Sequence, residues 1–203
     1  MMTITTQHRK RIMRAYKSGK TAKEIGHELG VSIDMVYYFM RKHNIVRRTP
    51  AASNKLGFAK KPPTFKLKKV LNKNDKQLKL IGVAIYWAEG YKSEKAVCVD
   101  LANSDPDMIR VFMKFLRNVC GIDEKKLRVL LYCHDQQKIP ELIAYWSRLT
   151  KISPKFFTKP YVPKRSSSSN HREMSYGLIH VRYYDKKLLQ LLLSWIEEYK
   201  KIA

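Results

Sequence analysis

The chain has 203 residues, with 41 Lys and Arg against 17 Asp and Glu, a formal net charge of +24 and 44% hydrophobic residues. A charge that far from zero speaks to partners rather than to fold: phosphate polyanions come first, an anionic membrane surface second. The hydrophobic share excludes a chain disordered throughout, and no apolar run reaches the ~18 residues of a spanning helix. The N-terminal MMTITTQHRK is basic but has no apolar stretch after it, so export is not indicated. Cys98, Cys120 and Cys133 are scattered without a CxxC pair, as expected for reduced thiols in a cytoplasmic protein.

In chain order, a helix is expected over roughly 7–18, supplying Ile12, Met13 and Tyr16 to a small core. Thr21 and Glu24 form a capping box for a second helix whose apolar face is Ile25 and Leu29. Gly30 ends that helix, and Ser32 caps a third with Val36, Phe39 and Met40 inward. The order Gly26, Gly30, Val36 has helix-turn-helix spacing and resembles the DNA-binding domain of resolvases and many bacterial regulators. That resemblance puts the third helix in the major groove of double-stranded DNA. Its outward residues are Ile33, Asp34, Tyr37, Tyr38 and Arg41, with Arg47 and Arg48 as a basic extension toward phosphate or the minor groove. A helical hairpin that merely packs on the rest of the protein is the plainer alternative.

Residues 49–75, with Pro62-Pro63 and scattered lysines, read as a basic linker between a domain at 1–48 and another at 76–203. Residues 1–75 hold 18 Lys/Arg and 4 acids, a net of +14; the remainder holds 23 and 13, a net of +10. Both parts therefore face the same kind of partner.

Beyond the linker an apolar helix is expected over 76–88, a strand over 95–103, and a helix from Asp105-Pro106 to Gly121. A strand over 126–135, a helix from Ile139, strands at KFFTKPYV and SYGLIHVRYY, and a terminal amphipathic helix complete the pattern. This is an α+β domain with helices on one face of a mixed sheet. Alternation assigns Ile179, Val181 and Tyr183 to one side and Leu178, His180, Arg182 and Tyr184 to the other. Arg128, Tyr132 and His134 likewise oppose Val129, Leu131 and Cys133. One face suits a core. The other, extended by Lys155, Lys159, Lys164, Arg165 and Arg172, suits nucleic acid, although a merely solvated face is the simpler reading of any one strand.

The stretch IGVAIYWAEG, 81–90, resembles the signature helix of LAGLIDADG homing endonucleases, and VDLANSDPDMIRVFMKFL is similar to the strand, turn and helix that follow it. Ala84, Ala88, Glu89 and Gly90 stand for the family's glycine, alanine, final acid and final glycine; Trp87 replaces a non-essential aspartate. The resemblance implies a curved sheet and two signature helices packed through Ile81, Ala84, Ile85 and Ala88. It also implies that the Glu89 carboxylates together hold Mg²⁺ against the scissile phosphates of double-stranded DNA. With a single motif per chain, a homodimer is implied. Lys92, just past the motif, is a candidate to steady a phosphate or a hydroxide; Glu89 paired with Lys92 or Lys95 at a helix end is the structural alternative. Neither a membrane nor a small-molecule cofactor is expected as a partner. A DNA-binding regulator that keeps the fold without cutting is the second reading.

Overall fold

A computed structural model describes residues 6–163 and 174–202, with side chains from Lys10 onward. The chain divides into two units, Met1–Pro62 and Pro63–Ala203. Among the described residues it is an α+β protein with eight α-helices and one three-stranded antiparallel sheet. No helix among them is long and apolar enough to cross a membrane.

The first unit is helical: α1 (Thr6–Lys17), α2 (Ala22–Leu29), α3 (Ile33–Lys42) and α4 (Pro50–Lys60). The Thr21 hydroxyl accepts the Glu24 N–H at 3.1 Å, while the Glu24 carboxylate accepts the Thr21 N–H, so the capping box at the start of α2 is complete. Gly30 closes α2 with φ 65°, a left-handed turn that glycine adopts without strain, and Ser32 caps α3 two residues later. Ile12, Ala22, Ile25, Val36, Phe39 and Met40 form a core, flanked by Ala15, Tyr16 and Leu29. Met13 stays at its margin.

The supposed linker is largely structured. Thr49 caps α4 with Pro50 at its first position, and Lys60 Nζ reaches Glu24 at 3.0 Å. From Pro63 onward the chain belongs to the second unit. Lys66 N–H and Lys68 N–H donate to the carbonyls of Gly121 and Val119, and Phe65 bridges Ile122. Thr64 donates its N–H and hydroxyl to Asp185 Oδ2, both at 2.7 Å, while Tyr183 OH donates to the Thr64 carbonyl at 2.6 Å.

The second unit continues with α5 (Lys73–Glu89), β1 (Val99–Asn103), α6 (Pro106–Phe115), β2 (Leu127–Tyr132), α7 (Ile139–Thr150), β3 (Leu178–Tyr183) and α8 (Lys186–Lys200). α5 begins three residues earlier than expected because Asn72 and Asp75 form a second capping box, with Lys68 on the Asp75 carboxylate at 2.7 Å. After α6 the backbone widens into a π turn, Leu116–Cys120, before Gly121.

The sheet order is β1-β3-β2, with both pairings antiparallel. The expected mixed, four-stranded sheet is corrected here. Segment 155–162 begins inside a 3₁₀ turn at Pro154–Phe156 and forms no ladder with β2, its backbone pairing being two isolated parallel bridges, Val129 to Phe157 and Tyr132 to Tyr161. Pro160 has no N–H to continue a ladder. Burial alternates along β2 and β3, where Leu127, Val129, Leu131, Ile179, Val181 and Tyr183 are buried; in β1, Val99 and Leu101 are buried and Asp100 between them is buried as well. Val83 and Tyr86 of α5, Ile109 and Phe112 of α6, Trp146 of α7, and Leu188 and Leu192 of α8 join them in one core. The opposite sheet face is left open to carry a site.

Candidate active site and nucleic-acid interface

The inward face of α5 carries Gly82, Val83 and Tyr86. A Cβ at position 82 would run into the Phe115 ring, so the missing side chain is what lets α5 lie close against α6. Past the helix end, Gly90 bridges Leu101, Tyr91 N–H donates to the Asp100 carbonyl at 2.8 Å, and Tyr86 OH donates to the Tyr91 carbonyl at 2.8 Å. These bonds seat the last turn of α5 on the free edge of β1. Glu89 is exposed there, beside a cleft of about 380 Å³ that it lines with Gly90, Tyr91, Asp100, Ala102, His180 and Arg182.

Asp100 is the covered acid of this cleft, 9% exposed, on the same face as His180 and Arg182 of the neighbouring strand. One oxygen meets His180 Nδ1 at 2.9 Å and the other accepts Arg182 Nε–H at 2.7 Å. Burial pushes the Asp100 carboxyl up, but the hydrogen bonds and charges of His180 and Arg182 outweigh it and hold the pKa below the usual carboxylate range. Both Asp100 oxygens are thus committed to side-chain partners. Glu89 is the carboxylate that stands at the cleft without such a network. Lys92 Nζ donates to the Gly90 carbonyl at 2.6 Å, a cation at the helix C-terminus where it is electrostatically favoured.

The rest of the open face is aromatic and basic. The rings of Tyr132 and Tyr161 lie 4.8 Å apart, and Tyr132 and His180 5.0 Å apart. Arg128 stands across from Arg182 in register, donates to the carbonyls of Lys125 and Leu127, and sits 5.2 Å above the Phe156 ring. Lys159 is exposed in the segment beside β2. Lys164, Arg165 and Arg172 lie outside the described residues.

No family model, no curated protein and no solved structure matches this chain.

On α3, Ile33, Asp34, Tyr38 and Arg41 are exposed together. Tyr37 is half-buried beneath the guanidinium of Arg47, 4.1 Å from its ring centroid. Arg48 differs from the expected outward arm. Its backbone N–H donates to Tyr16 OH at 2.9 Å, Nη1 donates to the Lys20 carbonyl at 3.0 Å, and its guanidinium lies 4.0 Å from the Tyr16 ring centroid. It ties the end of the three-helix core to α1.

The outer face of α5 exposes Ile81, Ala84 and Ala88 as expected. Ile85 turns toward its own core and is half-buried. Leu80, 53% exposed, and Trp87, 41% exposed, join the apolar face instead. Helical spacing from Ile81 to Ala88 offered that signal, since positions 80, 84 and 87 share the stripe.

Among the described residues no group of three or more His, Cys, Asp or Glu side chains is placed to hold a metal ion. Glu89 has the hard oxygen chemistry that suits Mg²⁺. Among the described residues lining the cleft, Glu89 is the carboxylate left without side-chain partners, and one carboxylate by itself does not make a closed cation site. Burial raises the pKa of the Cys98 and Cys133 thiols and pushes Cys120 up to about 12, so the three stay protonated at neutral pH.

Proposed function

We propose that the protein is a site-specific double-stranded-DNA-binding protein acting as a homodimeric, Mg²⁺-dependent endonuclease of the LAGLIDADG type in the cytoplasm. On this reading the first unit contains a helix-turn-helix that presents α3 to the major groove, and the second has the family's curved saddle. The observation that carries it is the exposed apolar face of α5 running into an exposed Glu89 at the edge of a basic, aromatic sheet face.

Pairing two copies through Leu80, Ile81, Ala84, Trp87 and Ala88 covers that apolar face and brings the two Glu89 carboxylates toward one another. The two Glu89 carboxylates would hold Mg²⁺ jointly, and the metal would supply Lewis acidity for phosphodiester hydrolysis. Asp100 holds Arg182 and His180 in fixed orientation along the cleft, where they receive the DNA phosphates. Lys92 remains close to the motif through the Gly90 carbonyl and adds a positive charge beside the cleft. A twofold assembly favours a palindromic or near-palindromic target.

The second reading is a DNA-binding regulator on the same framework. It is favoured by one observation: Asp100, the other acid of the cleft among the described residues, is fully engaged by His180 and Arg182, which leaves Glu89 as the cleft's one available carboxylate among them. Incubating the protein with Mg²⁺ and a plasmid library carrying its flanking genomic sequence separates the two. Cleavage abolished by Glu89→Gln, with duplex binding retained, supports the nuclease. Tight metal-independent binding without cleavage leaves the regulator, and loss of both binding and cleavage in the variant makes Glu89 structural.

A further inference from the structure

A second concavity, about 1040 Å³, lies between α6 and α7 and shares no lining residue with the Glu89 cleft. Arg110 and Lys114 line it one turn apart on α6, and Arg117 follows from the π turn. Arg148 on α7, with Lys151 and Lys155 just beyond it, supplies further positive charge.

The groove holds little acid to match them. Glu124 is its one acidic lining residue among the described residues, and it is gripped by Arg117 at 2.6 and 3.0 Å. The remaining Arg117 nitrogen donates to the Thr150 carbonyl at 2.7 Å, so this pair ties the ends of α6 and α7 together. Arg110 pairs with Asp107 at an exposed position. Lys114, Arg148 and Lys151 are exposed and have no acidic partner among the described residues. Apolar surface from Leu149 and Ile152 lies among these cations.

Two aromatic rings also line the groove. Tyr145 is stacked on Tyr176 at 4.0 Å with a 4° interplanar angle, and Phe156 has Lys155 and Arg128 at 5.3 and 5.2 Å from its ring centroid. A flat bilayer touches only the rims of such a concavity. A duplex keeps its bases stacked inside and offers phosphates without a π-face to meet the rings. A single strand offers both, and backbone-tracking cations combined with aromatic platforms are how such strands are held without sequence preference.

The geometry points to a single-stranded nucleic acid as the occupant of this groove, with its phosphates among Lys114, Arg148 and Lys151 and its bases against Tyr145 and Phe156. The assignment uses none of the residues that line the Glu89 cleft, although Phe156 also meets Arg128 of the open sheet face, and its test reads Lys114, Arg148 and Tyr145, which the nuclease reading does not use.

The test uses the full chain and labelled dT₁₂ and rU₁₂ oligonucleotides, followed by fluorescence anisotropy over a salt series. Neutralising two phosphate contacts with Lys114→Gln and Arg148→Gln together flattens the slope of log K against log salt by about 1.4 and weakens binding by about tenfold at moderate salt. Duplex binding changes by less than about twofold. Photo-crosslinking of an iodouridine-substituted strand to the unaltered protein places adducts on peptides containing Tyr145 or Phe156, a readout that needs no variant. A preference for dT₁₂ or rU₁₂ tells DNA from RNA as the source of the strand. Unchanged oligonucleotide affinity in the variant, adducts lying outside residues 110–156, or displacement by decaglutamate as effective as by unlabelled oligonucleotide overturns the proposal.

Discussion

Gly82 shows how one absent side chain positions the site. The α5–α6 approach sets where the helix ends, and the Phe115 ring occupies the space a Cβ would need. Gly82→Ala therefore overpacks the core and destabilises the protein by about 1–3 kcal/mol, read as a lowered denaturation midpoint. Replacing Ala84, on the exposed side, leaves the monomer's stability nearly unchanged. Asp100 is the second decisive residue. Its lowered pKa contributes stability above the ordinary carboxylate range that is lost as pH falls through that range and below. Asp100→Asn leaves Arg182 without its charged partner and costs about 1–3 kcal/mol, measurable by urea unfolding at pH 7. This role was not legible from the strand alone. Its two partners lie 80 and 82 positions later, beyond the reach of local spacing.

Elements defined by neighbouring residues were readable. The Thr21–Glu24 box, the Ser32 cap, the Asp105-Pro106 helix start and the buried alternation of β2 and β3 all follow from local spacing, and each is present. Glu24 is exposed, yet the Thr21 N–H first and the Lys60 ammonium next lower its pKa to about 2. Its contribution is in place above the ordinary value near 4.5 and disappears as pH drops toward 2. A circular-dichroism titration across that window should show a stability loss that Glu24→Gln largely removes. Segment 64–72 was illegible for a different reason. It docks through backbone N–H groups of Lys66 and Lys68 while their side chains remain exposed, so no apolar period marks it. Thr64→Val removes the hydroxyl that donates to Asp185 and should cost about 1–3 kcal/mol in thermal unfolding. Segment 155–162 misled in the opposite direction. Its aromatic residues have strand propensity, but prolines at 154 and 160 break the ladder.

For the whole molecule, charge and helix patterning meet in one account. A net charge of +24 calls for a polyanion, and the second unit supplies an open sheet face bearing Arg182, His180, Tyr132 and Tyr161. An apolar helix face with Ile81 at 49% exposure and Trp87 at 41% calls for a protein surface as well. Ile81→Asp places a charge in the face proposed to pair and should convert a two-copy DNA complex into a one-copy complex with weaker duplex binding. The most direct measurement is the mass of the protein bound to a duplex selected from a random library, determined by native mass spectrometry. A paired assembly gives two chains per duplex on a twofold-symmetric sequence. One chain per duplex, with full affinity retained by Ile81→Asp, contradicts it.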